Sequence, residues 1–325
     1  MNGIVCFGEA LIDFHASASD GDHAPAFVPY PGGAPANVAV AIARLGGRAA
    51  FAGMLGADMF GDMLLRGLEE AGVDTRHVRR TDAANTALAF VSRDANGERS
   101  FSFYRPPSAD LLFRDDDFSS DLFALASIFH VGSCSMTEPA IAATTLAGMR
   151  SACAAGALVS FDMNLRPALW PRSVDPTPRL WEALAQADLV KLSLEELAFV
   201  AAPMDDERAA IERLWQGHAR LLVVTDGPRP IRWFTRDASG ALPAFKIRAI
   251  DCTGAGDAFV GGLLHGLAAQ AIDADALDAF AVDTHRRDGL LRYAAACGAL
   301  AATRIGSFAA MPEADAVERL LETQA

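Results

Sequence analysis

No run of about 18 uncharged apolar residues occurs in this 325-residue chain, so it offers no candidate membrane span. Positive charge is also in deficit: 28 Lys and Arg face 41 Asp and Glu, a net charge of −13. Such a balance argues against a nucleic-acid partner, which would need clustered cations. It also means that an anionic nucleotide must be held locally, by amides, arginine and a divalent cation. Cysteine is sparse and scattered: Cys6, Cys134, Cys153, Cys252 and Cys297 are odd in number and form no Cys-x-x-Cys pair. That excludes a disulfide framework and a structural zinc, and predicts reduced thiols in the cytoplasm. A basic leader is missing, because residues 3–8 enter a strand pattern directly, so no signal peptide is expected. There is no internal repeat and no low-complexity tract. What is present, 51% hydrophobic and 21% charged residues, suffices for one large α/β domain.

Strand-like and helical patterns alternate along the chain. Strands are predicted at residues 4–7, 49–54, 127–131, 157–161, 189–192 and 221–225, with a β-leaning run at 245–250. Helices are predicted at 37–45, 138–155 (capped by Thr137), 207–217, 253–269 and 288–302. This order implies a mostly parallel sheet covered by helices on both faces. One region departs from it. Residues 88–93 and 99–104 are β-patterned around Asp94-Ala95-Asn96-Gly97-Glu98, whose Asn-Gly favours a tight hairpin. An aromatic, irregular stretch at residues 15–30 precedes the turn Gly32-Gly33.

The chemistry concentrates in Asp251-Cys252-Thr253-Gly254-Ala255-Gly256-Asp257. Small residues at a turn into a helix let backbone N–H groups converge where the helix dipole is positive, which makes an anion hole. Asp257 sets a carboxylate into that hole. It can take a proton from a hydroxyl while the amides of Gly254, Ala255 and Gly256 hold a transferring phosphoryl group. The plainer reading is a first-turn acid favoured by the dipole. Two other templates fail: the third glycine of a dinucleotide fingerprint is absent, and no Gly-Lys-Ser/Thr follows to make a P-loop.

A second segment, Pro31-Gly32-Gly33-Ala34-Pro35-Ala36-Asn37, is a turn running into an apolar helix stopped by Gly46-Gly47. With the Thr253–Asp257 segment it resembles the paired signatures of the ribokinase-like (PfkB) carbohydrate kinases. The C-terminal signature departs at Cys252, where the family usually has a small hydroxyl residue or proline. The resemblance spans nearly the whole chain. It implies a three-layer α/β fold over residues 1–325 with a small β lid, built from about residues 14–30 and 86–112. Lids of this kind keep water away from phosphoryl transfer.

Further roles follow from the resemblance. Asp13, Gly32, Gly33 and Asn37 match sugar-contacting positions, although an Asp and an Asn here also suit turn and helix caps. Asp162-Met163-Asn164-Leu165-Arg166, ending in Trp170, is similar to a fructokinase segment; Asn164 would meet the sugar and Arg166 the phosphate, which guanidinium matches in bidentate fashion. Lys191, Ser193, Thr225, Gly227, Gly254, Gly256 and Gly298 fall on the ATP side, and the loop 303–307 on the adenine-closing segment. Ser193 stands where the family often has Asn, and Ala295 likewise. Glu196 has the spacing of an acid that holds Mg²⁺ through water. Asp251 and Thr253, with the carbonyls of Ala301, Arg304 and Gly306, match a K⁺ site. His15 and His23 fall in the lid, and the other histidines have no ligand spacing. Homodimers through the lid are common among relatives.

The chain is most like bacterial fructokinases in its Gly8-Glu9-Ala10-Leu11-Ile12-Asp13 opening and in Pro107-Ser108-Ala109-Asp110-Leu111. ATP, Mg²⁺ and D-fructose are therefore the expected reactants. The alternative is a 2-keto-3-deoxygluconate kinase, because Tyr104-Arg105 resembles a lid pair that meets that substrate's carboxylate. A buried carboxylate needs such a cation. A non-catalytic sugar sensor on the same fold is a more distant reading.

Overall fold

The structure, a computed structural model, describes residues 3–16, 26–93 and 99–324. Among these, nine strands form one sheet in the order β13-β12-β11-β10-β9-β8-β1-β4-β5. Its centre holds β1 (Gly3–Phe7), β8 (Ala126–Gly132), β9 (Leu158–Asp162), β10 (Leu189–Ser193) and β11 (Leu221–Thr225). On one side follow β4 (Ala49–Gly56) and β5 (Val78–Thr81), and these seven strands are all parallel. On the other side β12 (Ile231–Phe234) and β13 (Ser239–Leu242) are antiparallel.

Alternation along the strands builds two cores. Ile4 and Cys6 point to one face, against the helices Ala34–Arg44, Ala255–Ala269 and Thr284–Ala301; Val5 and Phe7 point to the other, against Pro139–Ala154 and Thr177–Leu184. Strands buried on both faces read as continuous apolar runs, such as Leu221-Leu222-Val223-Val224, which is why they stood out in the sequence. The strands of this sheet missed by pattern are the polar ones toward its edges, Val78-Arg79-Arg80-Thr81, Ile231-Arg232-Trp233-Phe234 and Ser239-Gly240-Ala241-Leu242; elsewhere Leu11–Ala16 and Phe27–Gly32 are strands, reaching into a stretch expected to be irregular.

Three local predictions are corrected. Residues 245–250 form no strand; the backbone N–H groups of Ile250 and Asp251 are instead pinned to the Ala302 carbonyl, at 2.8 and 3.2 Å. Thr137 does not cap the following helix, because its hydroxyl donates to the Cys134 carbonyl at 3.1 Å. The helix predicted from 288 starts at Thr284, where the Asp283 carboxylate accepts the Arg286 N–H.

A second, four-stranded sheet has the order β3-β2-β6-β7, with β2 (Leu11–Ala16), β3 (Phe27–Gly32), β6 (Leu88–Arg93) and β7 (Arg99–Tyr104). β6 and β7 pair antiparallel as foreseen; the turn at 94–98 and His23 lie outside the described residues. Residues after Tyr104 leave this sheet, and Ala109, Leu111 and Phe113 pack into a core of the large one. The two sheets meet over the carboxyl ends of the parallel strands, where open α/β sheets place ligands.

Candidate active site

A cavity of about 570 Å³ lies between the two sheets. One wall is the start of the helix Ala255–Ala269. Gly254 precedes it at φ 75°, a left-handed conformation that favours glycine, and its carbonyl accepts the Ala258 N–H at 2.8 Å. The Ala255 N–H donates to the Cys252 carbonyl at 3.2 Å, so that amide does not face an anion, contrary to the sequence expectation. Gly254 and Gly256 line the cavity, and the N–H groups of Gly256 and Asp257, in the first helical turn, have no intrahelical acceptor.

Asp257 is buried here, and two amide side chains hold it. Asn37 donates to one carboxylate oxygen at 2.7 Å and Asn164 to the other at 3.2 Å. Asn37 comes from the helix Ala34–Arg44; Asn164, at φ 42°, comes from the loop after β9. Burial pushes the Asp257 carboxyl up to about 6, opposed by the Asn37 hydrogen bond and reinforced by Asp162. The Asn37 Oδ1 is buried, without a partner among the described residues, in a residue that lines the cavity.

Toward the second sheet lie Asp13 and Glu9. Asp13 sits within β2; Ser307 donates to its Oδ2 at 3.3 Å, and Gly32 packs directly against that oxygen. Burial raises the Asp13 carboxyl to about 7, against the lowering by Ser307, with Asp257 raising it further. Gly33 has φ 102°, and a Cβ there would lie 2.6 Å from the Glu9 carbonyl, so only glycine allows this approach. Ser307, 294 residues from Asp13, was read as part of an adenine-side loop, yet its hydroxyl serves the Asp13 side.

At the opposite end Lys191 Nζ pairs with Asp162 at 3.1 and 3.3 Å. Burial alone would lower the Lys191 pKa, but Asp162 and Glu196 outweigh it and raise the value. Glu196 forms a capping box with Ser193: Ser193 N–H donates to Glu196 Oε2 at 2.7 Å, and the Ser193 hydroxyl accepts the Glu196 N–H at 3.1 Å. The Leu165 N–H donates to Glu196 Oε1 at 2.7 Å. Each carboxylate oxygen retains a second lone pair in a cavity-lining residue, a donor set that suits water-mediated Mg²⁺. Arg166 is exposed at the rim, its Nη1 donating to the Leu165 carbonyl, and Thr225 lines the same end.

Asp251 is buried, with the Thr253 N–H donating to Oδ1 at 2.9 Å. The Ala301 carbonyl accepts the Arg304 N–H, and Gly306, at φ 92°, packs against Tyr30. Carboxylate, hydroxyl and carbonyl oxygens are the chemistry a hard monovalent cation takes. Cys252 is exposed on the cavity wall and adds no hard ligand.

Besides Gly32, Ala255 and most of the expected K⁺ set, three further predicted residues, Arg105, Gly227 and Gly298, do not line this cavity. Arg105 is 3% exposed and turned away: Nε and Nη2 donate to Asp110 Oδ2 at 2.8 and 2.5 Å, Nη1 to Thr137, and Nη2 also to the Cys134 carbonyl. An arginine so occupied leaves little donor capacity for a ligand. Gly227 lies in the turn beyond β11, outside the lining residues, and Gly298 packs against the Ala255 carbonyl, where a Cβ would come within 2.9 Å. The sequence reading missed Glu9, which lines the cavity at 3% exposure; an acid inside the apolar run at residues 4–12 was the available signal.

With this geometry in hand, comparison with known proteins is specific. The model for the pfkB family carbohydrate kinases matches residues 1–314. The chain is 42% identical to fructokinase-1 of Oryza sativa subsp. japonica over 322 residues, covering 98% of each. It superposes on the ATP-bound fructokinase of Xylella fastidiosa with a TM-score of 0.95 and 54% identity, covering 99% of this chain and 98% of that one. A double mutant of Vibrio cholerae O395 fructokinase, solved with fructose, ADP and potassium ion, gives a TM-score of 0.86 at 34% identity, covering 99% and 98%.

Proposed function

The chain belongs to the pfkB family of carbohydrate kinases, and on that premise we propose that it is a fructokinase. It transfers the terminal phosphoryl group of ATP to D-fructose, giving fructose 6-phosphate. The observation that carries the reading is the Asp257 carboxylate, buried beside the glycine turn and oriented by Asn37 and Asn164. A base must lie within reach of the hydroxyl it deprotonates and be ionised near neutral pH, and a value of about 6 meets the second need. Gly254 and Gly256 bring backbone amides to the incoming phosphoryl group, and Arg166 reaches it from the rim.

Asp13 accepts sugar hydroxyls, with Asn37 Oδ1 as a further acceptor beside the base. Lys191, Ser193 and Thr225 lie toward the nucleotide. Glu196 would hold Mg²⁺ through water, and the ion when bound would neutralise phosphate charge. Asp251, Thr253 and the carbonyls of Ala301, Arg304 and Gly306 would hold K⁺, bracing the turn at Gly254. The four-stranded sheet acts as the lid of a single kinase domain, and its exposed Phe27 and Tyr104, which both pack on Phe90, mark the face on which two copies would pair. No helix among the described residues is long and apolar enough to cross a membrane. The five free cysteines suit a cytoplasmic enzyme.

A sugar acid is the less suitable substrate, because the cation once assigned to its carboxylate, Arg105, is held by Asp110. A mere sugar sensor would have no use for a buried base at a phosphate-binding turn. The test is ATP-dependent conversion of fructose, followed by ADP release and by phosphorus NMR of the product. Fructose 6-phosphate is expected; absence of any fructose phosphate would overturn the proposal.

A further inference from the structure

Ser307 stands at the N-cap of the short 3-10 helix Phe308–Ala310, where a serine oxygen ordinarily accepts a helix N–H, yet its hydroxyl makes no such bond. The carbonyl alone serves the turn, accepting the Ala310 N–H at 3.1 Å. The hydroxyl is fully buried and donates instead to Asp13 Oδ2 at 3.3 Å.

The two partners belong to different parts of the fold. Asp13 is carried by β2 of the small sheet and lines the cavity. Ser307 is fixed to the large body: Phe308 is buried in a core of the large sheet, and Arg44 Nη1 donates to the Met311 carbonyl at 3.0 Å. A Cβ on Gly254 would lie 3.7 Å from the Ser307 Cα, so the same residue abuts the turn that precedes the Asp257 helix.

Asp13 needs such a support. Burial favours its neutral form, and Asp257 and Asp251 add to that; the Ser307 hydrogen bond is the largest influence against it, followed by the charge of Arg166 at the rim. A carboxylate that grips hydroxyls also works only when neighbours set its orientation. We propose that Ser307 is a positioning residue for the sugar: by bonding Asp13 Oδ2 it fixes the carboxylate, whose remaining lone pairs then meet sugar hydroxyls at the joint between the two sheets. The proposal rests on the sugar-kinase reading above. It gives the loop 303–307 a part in sugar binding, besides the nucleotide side expected from sequence.

The test is a double-mutant cycle of Ser307→Ala and Asp13→Ala, read as fructose kcat/KM, with fructose KM, kcat and ATP KM determined for each single variant. Ser307→Ala should raise the fructose KM roughly three- to tenfold, the weight of one hydrogen bond, and leave kcat and the ATP KM within about twofold. In the Asp13→Ala background the same substitution should change fructose kcat/KM by less than about twofold, because the group it positions is gone. A serine that merely packs the turn would cost the same in both backgrounds. Ser307→Cys, close in volume but a weak donor, should fall between Ser307→Ala and wild type in fructose KM. It takes the place of Ser307→Ala in the cycle should that variant fold poorly. Equal losses in the two backgrounds, an unchanged fructose KM, or a rise confined to the ATP KM would overturn the proposal. Fructose turnover by wild type stands apart from these outcomes, so failure of the kinase reading is recognised separately.

Discussion

The two ends of the cavity handle charge in opposite ways. At the phosphoryl end a cation is available: Arg166 is exposed and makes one bond to its neighbour's carbonyl, while Lys191 lines the cavity beside Gly256 with Asp162 as its partner. At the sugar end, among the described residues, the buried cation Arg105 is closed off by Asp110, Thr137 and Cys134, and Asp13 is an acid that lines the cavity. Two arginines that looked alike in the sequence thus do different work. One is free for a phosphate; the other braces the segment that leaves the small sheet. An enzyme joining a polyanion to a neutral polyol needs this asymmetry, because each end then rejects the other's ligand.

The largest expected effect breaks the phosphoryl end. Asp257→Asn should cut kcat by roughly two to four orders of magnitude, the range for loss of a general base, with sugar and ATP binding largely kept. Near wild-type turnover in rapid-quench assays would remove Asp257 from the base role. At the sugar end, Arg105→Ala should act on stability, because it leaves Asp110 as an uncompensated buried charge. Breaking such a pair costs about 3–5 kcal/mol, measurable by denaturant unfolding, whereas Arg166→Ala should leave stability within about 0.5 kcal/mol and lower turnover. A loss of activity without loss of stability in Arg105→Ala would reverse the comparison.

Asp13→Ala should weaken fructose by about 1.5–3 kcal/mol, the loss of hydrogen bonds to a charged group, and leave ATP nearly untouched. If ATP affinity fell instead, Asp13 would belong to the nucleotide end. The pH profile is a smaller, sharper probe. Both carboxyls lie above the aspartate value of 3.8, Asp257 at about 6 and Asp13 at about 7, and the proposed roles require both ionised. Fructose kcat/KM should therefore fall as pH drops through 7 and 6, by more than about tenfold per unit where both titrate. A flat profile across this range would exclude both roles.

The phosphoryl end was legible in sequence because its parts are contiguous: Gly254, Gly256 and Asp257 share one turn, and Asn164 and Arg166 one loop. At the sugar end the residues Asp13, Gly33 and Asn37 were legible but their pairings were not, since these join distant residues. Ser307 meets Asp13 across 294 positions, and Asn37 meets Asp257 across 220. Arg105 misled for a different reason. Its partner Asp110 is five residues on, but only the turn that carries Ala109 and Leu111 into the main core brings the two together. The fold was read well where strands are buried on both faces, and poorly at the polar edges β5, β12 and β13, which carry no apolar run.

A neutral ketose and a sugar acid place opposite demands on the acidic end of the cavity. The most direct measurement is kcat/KM for D-fructose against 2-keto-3-deoxygluconate, with wild-type protein, ATP and Mg²⁺, under one set of conditions. A neutral ketose would meet a hydroxyl acceptor in Asp13, whereas a sugar acid would find Arg105 already held by Asp110. The predicted result is a preference for fructose of at least about a hundredfold, the weight of an unpaired buried charge. A preference for the acid, lost selectively in Arg105→Ala, would contradict the account.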